Sequence, residues 1–200
     1  MLFRSWFRWR GAGRRVARQR RSRVDPGVVV DLLIGLGRID ATLAERSVDR
    51  ILAWPKTYDL DMVLVPAARR LVSASTTQGT AAIERLRAAC IAHLRARIAE
   101  PLAPPTDWRR KSALPCHCQH CAELARFLDD PERQTWVLKA VQADRDHVED
   151  SIRRAESDLD TMTDRRGRPY SLICTKNQAS YERRAKQRKQ DLRDLALLTG

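Results

Sequence analysis

Apolar residues recur every three or four positions from residue 28 to about residue 99, which predicts a series of antiparallel helices. Asp25-Pro26-Gly27 is a signal for the start of the first helix. The β-branched residues that follow are also compatible with a strand, but the spacing of Leu32, Leu33 and Leu36 favours a helix. Three further helices are predicted over 40–54, 58–72 and 80–99. Pro66 lies inside the third of the four, where we expect a kink or a restart.

The pattern changes after the proline-rich segment 101–105, which we expect to be extended. A short helix over 122–128, a short element at 136–141 and a helix over 145–159 come next. Residues 170–176 alternate between apolar and polar as a strand does, and Arg166-Gly167 marks the turn of a β-hairpin. A long helix over 177–198 follows. We therefore predict a mostly α protein, in which a solenoid-like body of antiparallel helices precedes a small α+β module with a long C-terminal helix.

The composition agrees with this architecture. Glycine is scarce, with eight residues, and the abundant Ala, Leu and Arg favour helices. No apolar run approaches the roughly 18 residues that a membrane span requires. The five cysteines are an odd number and three of them are crowded into one segment, which argues against a disulfide framework. We therefore expect a reducing compartment and a cytoplasmic location.

The formal net charge of +13 is spread unevenly along the chain. Residues 1–23 contain nine Arg and no acidic residue, so this N-terminal arm alone carries +9. The rest of the chain has 29 basic and 25 acidic residues and therefore carries only +4. Most of the basic character thus belongs to the arm.

Three interpretations of the arm are open. Its arginines can neutralise nucleic-acid phosphates while the aromatic residues between them stack on bases. It can also be an interfacial helix on an anionic membrane, or a disordered extension, because nine like charges cannot pack together. The last interpretation is favoured, and we expect residues 1–24 to be disordered. If the arm does bind nucleic acid, the candidate contacts are Arg14, Arg15, Arg18, Arg20 and Arg21.

The densest chemistry lies in Cys116-His117-Cys118-Gln119-His120-Cys121, where three thiols and two imidazoles fall within six residues. Thiolates and imidazoles are the ligands that zinc prefers, and two cysteines separated by two residues can reach one ion across a tight turn. Cys116 adds a third sulfur. The sequence therefore predicts a zinc site. The alternatives are a reduced thiol cluster without metal and a redox-active pair.

A tetrahedral zinc site needs a fourth ligand from elsewhere in the chain, and His147 or Cys174 can supply it. Cys90 and His93 also have the spacing of a ligand pair. Cys90 lies on the apolar side of its predicted helix, however, and reduced cysteine is common in protein cores. We therefore predict a packed Cys90 thiol and a half-exposed His93 imidazole.

The outer side of the last predicted helix is basic. Such a side of a helix is usually only solvated, but it is also a candidate contact surface for nucleic acid or for another acidic partner. The residues concerned are Arg183, Arg184, Lys186, Arg188 and Lys189.

The order of motifs from about residue 101 to 198 resembles the C-terminal region of large bacterial proteins known as 2-oxoglutarate/Fe(II)-dependent oxygenases. The matching motifs begin with Pro-Pro-x-Asp-Trp at 104–108 and the three clustered cysteines. The short Leu-x-x-Phe helix and Arg145-x-His147 come next, followed by an Arg-Gly-x-Pro turn and the segment 172–176. The helices over 40–99 resemble the solenoid-like segment that precedes this region. The resemblance covers about four fifths of the chain.

The resemblance implies a helical body with a Cys/His-rich module, and it does not imply an oxygenase in this chain. A ferrous triad needs His-x-Asp/Glu and a distant second His. His147-Val148-Glu149 is the only start of such a motif, and no His follows it. Members of the family often have a second His where Glu149 stands and another near Thr161. Their absence leaves the fourth ligand position to His147 or Cys174.

Other enzyme classes have no clear signature in this sequence. The Gly35–Gly37 segment does not continue into a phosphate loop, and there is no nucleophile elbow. A dithiol oxidoreductase of thioredoxin type needs a βαβ context, which the sequence lacks. A hydrolytic zinc site keeps an open position, whereas three sulfurs favour a closed structural site. The protein is therefore more readily explained as a binding module than as an enzyme.

The sequence thus predicts four segments: a basic arm over 1–24, a helical body over 25–100, a connector over 101–115, and a zinc-binding module over 116–200. The predicted function is binding, through the arm and the last helix, to nucleic acid or an acidic protein. The first alternative is an accessory or scaffold protein of an oxygenase-type system, and the second is a thiol-redox protein. No small-molecule substrate is indicated.

Overall fold

The computed structural model describes residues 24–74, 81–111 and 113–200. Nearly all of the basic arm, including its five candidate contact residues, lies outside this range. The described residues form two compact units. Unit 1 contains the described residues up to His93 together with Leu197–Gly200, and unit 2 contains Leu94–Ala196. The boundary after His93 falls inside a helix, so the helical body and connector predicted over 25–115 do not coincide with the two units.

Unit 1 is built from α1 (Pro26–Ile39), α2 (Ala41–Leu52), α3 (Val65–Ser73) and the first part of α4 (Ala81–Ala99). Aspartates begin the first two helices as the sequence predicts. The Asp25 and Asp40 carboxylates accept hydrogen bonds from the backbone N–H groups of Gly27 and Thr42, at 2.6 and 2.7 Å. These bonds satisfy N–H groups that have no partner within the helix.

A short π-helical turn, Leu60–Leu64, precedes α3. The Asp59 carboxylate caps it by accepting from the Met62 N–H at 2.8 Å. Pro66 stands in the first turn of α3, where its missing N–H costs nothing. The predicted restart near Pro66 is therefore present. The core of unit 1 is apolar and includes Leu33, Val48, Leu64, Leu71 and Leu86.

Unit 2 contains the module that carries the cysteine cluster. Its order is α5 (Gln119–Asp129), β1 (Thr135–Lys139), α6 (Gln142–Arg154), β2 (Leu159–Asp164), β3 (Ser171–Lys176) and α7 (Ala179–Thr199). The strands form an antiparallel sheet in the order β1-β3-β2. The β2–β3 hairpin is the predicted one, with Gly167 at a φ of 86° in its turn.

One side of the sheet packs on α5 and α6. The core consists of Leu124, Phe127 and Leu128 of α5, Trp136 and Leu138 of β1, Val148 and Ile152 of α6, and Leu172 and Cys174 of β3. Phe127 and Trp136 stack with their ring centroids 6.2 Å apart. This core fixes α5 and α6 relative to each other.

Several details differ from the sequence prediction. Helix α5 begins at Gln119 instead of residue 122, so Cys121 lies inside it. Helix α6 ends at Arg154, and Leu159, predicted to be its last apolar residue, begins β2. In α7, Leu192 has helical spacing with Leu195 and Leu198, which favours burial, but it is 49% exposed, whereas Asp191 is 1% exposed. The predicted mostly α fold, with a small antiparallel sheet and a long C-terminal helix, is confirmed.

None of the helices in the described residues is long and apolar enough to cross a membrane.

Candidate metal centre

The start of α5 presents two cysteines to the same point. Cys118 is the N-cap residue, with an extended backbone, and its carbonyl oxygen accepts from the Ala122 N–H at 2.8 Å. Cys121 lies in the first turn and is 1% exposed. Residues three apart at a helix end lie on the same side. One sulfur therefore faces solvent and the other faces the core.

His147 comes from α6, which packs against α5. Its Nε2 atom lies 3.4 Å from Cys118 Sγ and 3.5 Å from Cys121 Sγ. Arg145, two residues earlier, is buried and donates through Nε to the Ala140 carbonyl oxygen at 3.2 Å, which ties the start of α6 to the end of β1. The fold thus holds His147 over the two thiols.

Cys116 completes the group from the extended residues before α5. Its sulfur accepts from the Cys118 N–H at 3.4 Å. One ligand atom from each of Cys116, Cys118, Cys121 and His147 lies within 4.8 Å of the other three. Three sulfurs and one imidazole nitrogen are therefore close enough together to hold a metal ion.

The pKa values of Cys118 and Cys121 are shifted in opposite directions. The Cys121 N–H, which points at the exposed sulfur, lowers the pKa of Cys118 to about 6. Burial raises the pKa of Cys121 to about 11. At neutral pH the cluster thus holds one ready thiolate and one buried thiol that needs a cation in order to lose its proton. A divalent metal supplies that charge.

Ser151 supports the centre from one helical turn beyond His147. Its hydroxyl donates to the His147 carbonyl oxygen at 3.0 Å and lies 3.5 Å from Cys121 Sγ. Ser151 is 3% exposed. The sequence prediction did not include Ser151, although its spacing of four residues from His147 places both on one side of a helix.

The connector positions the cysteine segment. Backbone N–H groups of Trp108 and Arg110 donate to the carbonyl oxygens of Pro131 and Leu128, at 2.9 and 2.8 Å. The buried Arg110 guanidinium also donates through Nε to the Asn177 carbonyl oxygen at 2.7 Å. These bonds anchor the chain six residues before Cys116. These bonds hold the connector against the end of α5 and the turn that follows it.

Cys174, the alternative fourth ligand, lies elsewhere. It points from β3 into the core of the module and is 0% exposed, and burial raises its pKa to about 12. The structure therefore brings His147 into the cluster and leaves Cys174 as a packed apolar group.

Cys90 and His93 occupy the positions that the sequence predicts. Cys90 is fully buried in unit 1, and burial raises its pKa to about 12. The His93 imidazole is partly exposed, and its Nε2 atom lies 2.8 Å from Asp61 Oδ1. Neither residue belongs to a cluster of metal-ligand type among the described residues.

The basic residues of α7 differ from one another in exposure and in the contacts that they make. Arg184, Lys186 and Lys189 are exposed. Arg183 lies 3.8 Å from Asp158 Oδ1, and Arg188 is half-buried and donates to the Glu100 carbonyl oxygen at 2.9 Å. The exposed Arg193 was missed, although it continues the line of Lys186 and Lys189 at helical spacing.

Both acidic residues in the second half of α7 point inward. Asp191 is 1% and Asp194 is 7% exposed. Asp191 accepts from Arg97 at 2.7 and 2.6 Å, a bidentate pair that neutralises it. The exposed surface of α7 after Glu182 therefore carries only positive charge.

Comparisons of the chain with protein-family models, with curated proteins and with solved structures found no match. The relationship to the oxygenase-associated region thus stays a prediction from the motifs.

Proposed function

We propose that this protein is a non-catalytic binding module, stabilised by a structural zinc ion, that contacts nucleic acid through α7. The observation that carries the proposal is the convergence of Cys116, Cys118, Cys121 and His147 within 4.8 Å. The basic surface of α7 supports the choice of partner.

Zinc is the metal that this donor set fits best. Three thiolates and one imidazole form a common structural zinc site, whereas magnesium and calcium require oxygen ligands. Three sulfur ligands also place much negative charge on the ion and reduce its strength as a Lewis acid. Zinc would therefore stabilise the module, and we assign it no chemical step. It would join the segment before α5 and the start of α5 to His147 of α6.

The exposed positive charge on α7 indicates the class of partner that would bind there. Lys186, Lys189 and Arg193 form a line of exposed cations at helical spacing, and the helix directs Asp191 and Asp194 away from that surface. Regularly spaced cations without intervening acids fit a phosphate backbone. Phosphate contacts of this kind carry no sequence information, so we expect binding with little sequence preference.

The first experiment measures the metal content of the purified full chain together with circular dichroism before and after chelation. We expect one zinc per chain and a loss of helical signal when it is removed. A protein that contains no zinc, and whose spectrum and stability are unchanged by added zinc, would contradict the structural site.

The second experiment measures binding to a short nucleic-acid duplex at several salt concentrations. Counterion release predicts that log Kobs falls linearly with log salt. Salt-insensitive association with one protein would instead support the accessory role in an oxygenase-type system. Salt-dependent binding to an acidic protein, without binding to the duplex, would favour the acidic-protein partner.

A further inference from the structure

Cys118 and Cys121 differ in access although both belong to the proposed metal centre. Cys118 is exposed at the N-cap of α5, and Cys121 is 1% exposed in the first turn of the same helix. Both sulfurs lie within 3.5 Å of the same nitrogen, His147 Nε2. An incoming small molecule therefore reaches Cys118 first and finds a second sulfur directly behind it.

The spacing of the two residues suits a disulfide. Residues separated by two others at the start of a helix approach the Cα separation of about 4.4–6.8 Å that a disulfide requires. The Cys116–Cys118 pair has only one residue between its members, so its bridge would close a smaller and more strained ring. Of the possible bridges within the cluster, Cys118–Cys121 is the one that the helix favours.

We propose that Cys118 and Cys121 are a hydroperoxide-reactive dithiol, and that their oxidation to a disulfide releases the metal. The release of metal rests on the proposed zinc site, whereas the formation of the disulfide does not. The proposal adds a reactive and reversible state to a centre that is otherwise structural.

The reaction balances with a hydroperoxide as the oxidant. The Cys118 thiolate attacks the terminal oxygen of the peroxide, the O–O bond breaks, and the remaining alkoxide takes up a proton and leaves as alcohol, or as water when the oxidant is hydrogen peroxide. Cys118 is then a sulfenic acid. The Cys121 sulfur attacks the Cys118 sulfur, the S–O bond breaks, and water leaves after protonation. The two thiols together lose two electrons, which reduce the peroxide.

Loss of the metal follows from the ligand count. Thiolates bind zinc, and a disulfide has no thiolate to offer. Oxidation would leave Cys116 and His147, too few ligands for a closed site. The metal would then no longer connect the Cys116 segment to helix α6. The oxidation state of the dithiol would therefore control how well ordered the module is.

The buried thiols give an internal control. Cys90 and Cys174 are both 0% exposed. A small peroxide that modifies residues by access should leave them reduced while the cluster reacts. Selective reaction at the cluster therefore separates the proposal from general oxidation of an unfolding protein.

The experiment treats the reduced full chain with stoichiometric hydrogen peroxide in the presence of a chromophoric zinc indicator. We expect one zinc released per disulfide formed, and rebinding after a dithiol reductant is added. Mass spectrometry of the tryptic peptide 112–126, which contains all three cluster cysteines, locates the bridge by its fragment ions. The expected bridge joins Cys118 to Cys121, with Cys90 and Cys174 still open to alkylation after denaturation.

Two variants sharpen the result. Cys121→Ser removes the second sulfur, so a sulfenic acid at Cys118 should accumulate and be trapped by dimedone. Cys116→Ser retains the dithiol, so its Cys118–Cys121 bridge should still form even if zinc no longer binds. Unmodified thiols with retained zinc, a bridge from Cys116 to Cys118 or to Cys121 in the wild type, or equal oxidation of all five cysteines would each overturn the proposal. Absence of zinc from the reduced protein contradicts the proposed function instead, and the mapping then tests the dithiol alone.

Discussion

His147 Nε2 lies 3.4 Å from Cys118 Sγ, although the two residues are separated by 29 positions and belong to different helices. The packing of α5 on α6 and the core of the sheet hold this distance. It makes His147 the most informative residue to change.

Replacing His147 with Ala should weaken zinc binding by more than about 100-fold. Loss of a residue that merely orients a ligand costs about 10–100-fold, and His147 would be a ligand itself. Competition with a chelator of known affinity measures the change. His93→Ala is the matched control, since His93 is an imidazole on α4 paired with Asp61 and should leave zinc affinity unchanged. Equal effects of the two substitutions would argue against the assignment.

Cys90 gives a stability contribution that depends on pH. Burial raises its folded-state pKa from 9.0 to about 12, so the folded protein keeps the proton more firmly than the unfolded chain does. Its contribution is therefore complete below pH 9 and is lost as the pH rises towards 12. Urea denaturation at pH 7, 9 and 10.5 should show a decline in the wild type that is smaller in Cys90→Ala. The same decline in both proteins would assign it to other groups.

Asp191→Asn should destabilise the protein by about 3–5 kcal/mol, because it removes the charge that neutralises the partly buried Arg97. The Asp191 side chain is 2% exposed and that of Arg97 is 26% exposed, so the effect should lie towards the lower end of this range. Chemical denaturation measures it. Glu182→Gln, on the same helix, is the control and should change stability by less than about 0.5 kcal/mol. The double variant Arg97→Met with Asp191→Leu should recover part of the loss.

Replacing Lys186, Lys189 and Arg193 together with Gln should weaken binding to a nucleic-acid duplex and flatten its salt dependence. Each lost phosphate contact lowers the slope of log Kobs against log salt by about one. Fluorescence anisotropy at several salt concentrations gives the slope. Arg154→Gln removes an exposed cation from α6 and serves as the control. A slope that stays the same in the triple variant would exclude α7 as the contact surface.

Local signals in the sequence predicted most of the elements. Asp25 and Asp40 begin helices because their carboxylates accept backbone hydrogen bonds within two residues, and such bonds depend only on nearby sequence. The β2–β3 hairpin can be predicted for the same reason, because its glycine turn and its alternating apolar and polar residues lie in one short segment.

The sequence prediction differs from the structure where contacts between distant parts of the chain determine which residues are buried and which reach the cysteine cluster. Leu192 has the spacing of an inner residue, but Asp191 takes the inner position because Arg97 meets it there. The choice between His147 and Cys174 also depended on the fold, since only the sheet shows that Cys174 faces the core. Ser151 and Arg193 carry spacing signals, but those signals acquire meaning only after the positions of Cys121 and of the inward acids are known.

The strand β1 lies between Cys121 and His147 in the chain and at one edge of the sheet. A metal that joins these two residues would therefore close a loop around an edge strand and limit its escape from β3. Loss of the metal would remove this restraint, and each opening of β1 would then expose N–H and C=O groups of β1 and β3 to another chain. Chelation should thus promote concentration-dependent aggregation through strand pairing. Bound zinc would then reduce self-association of the protein throughout its lifetime.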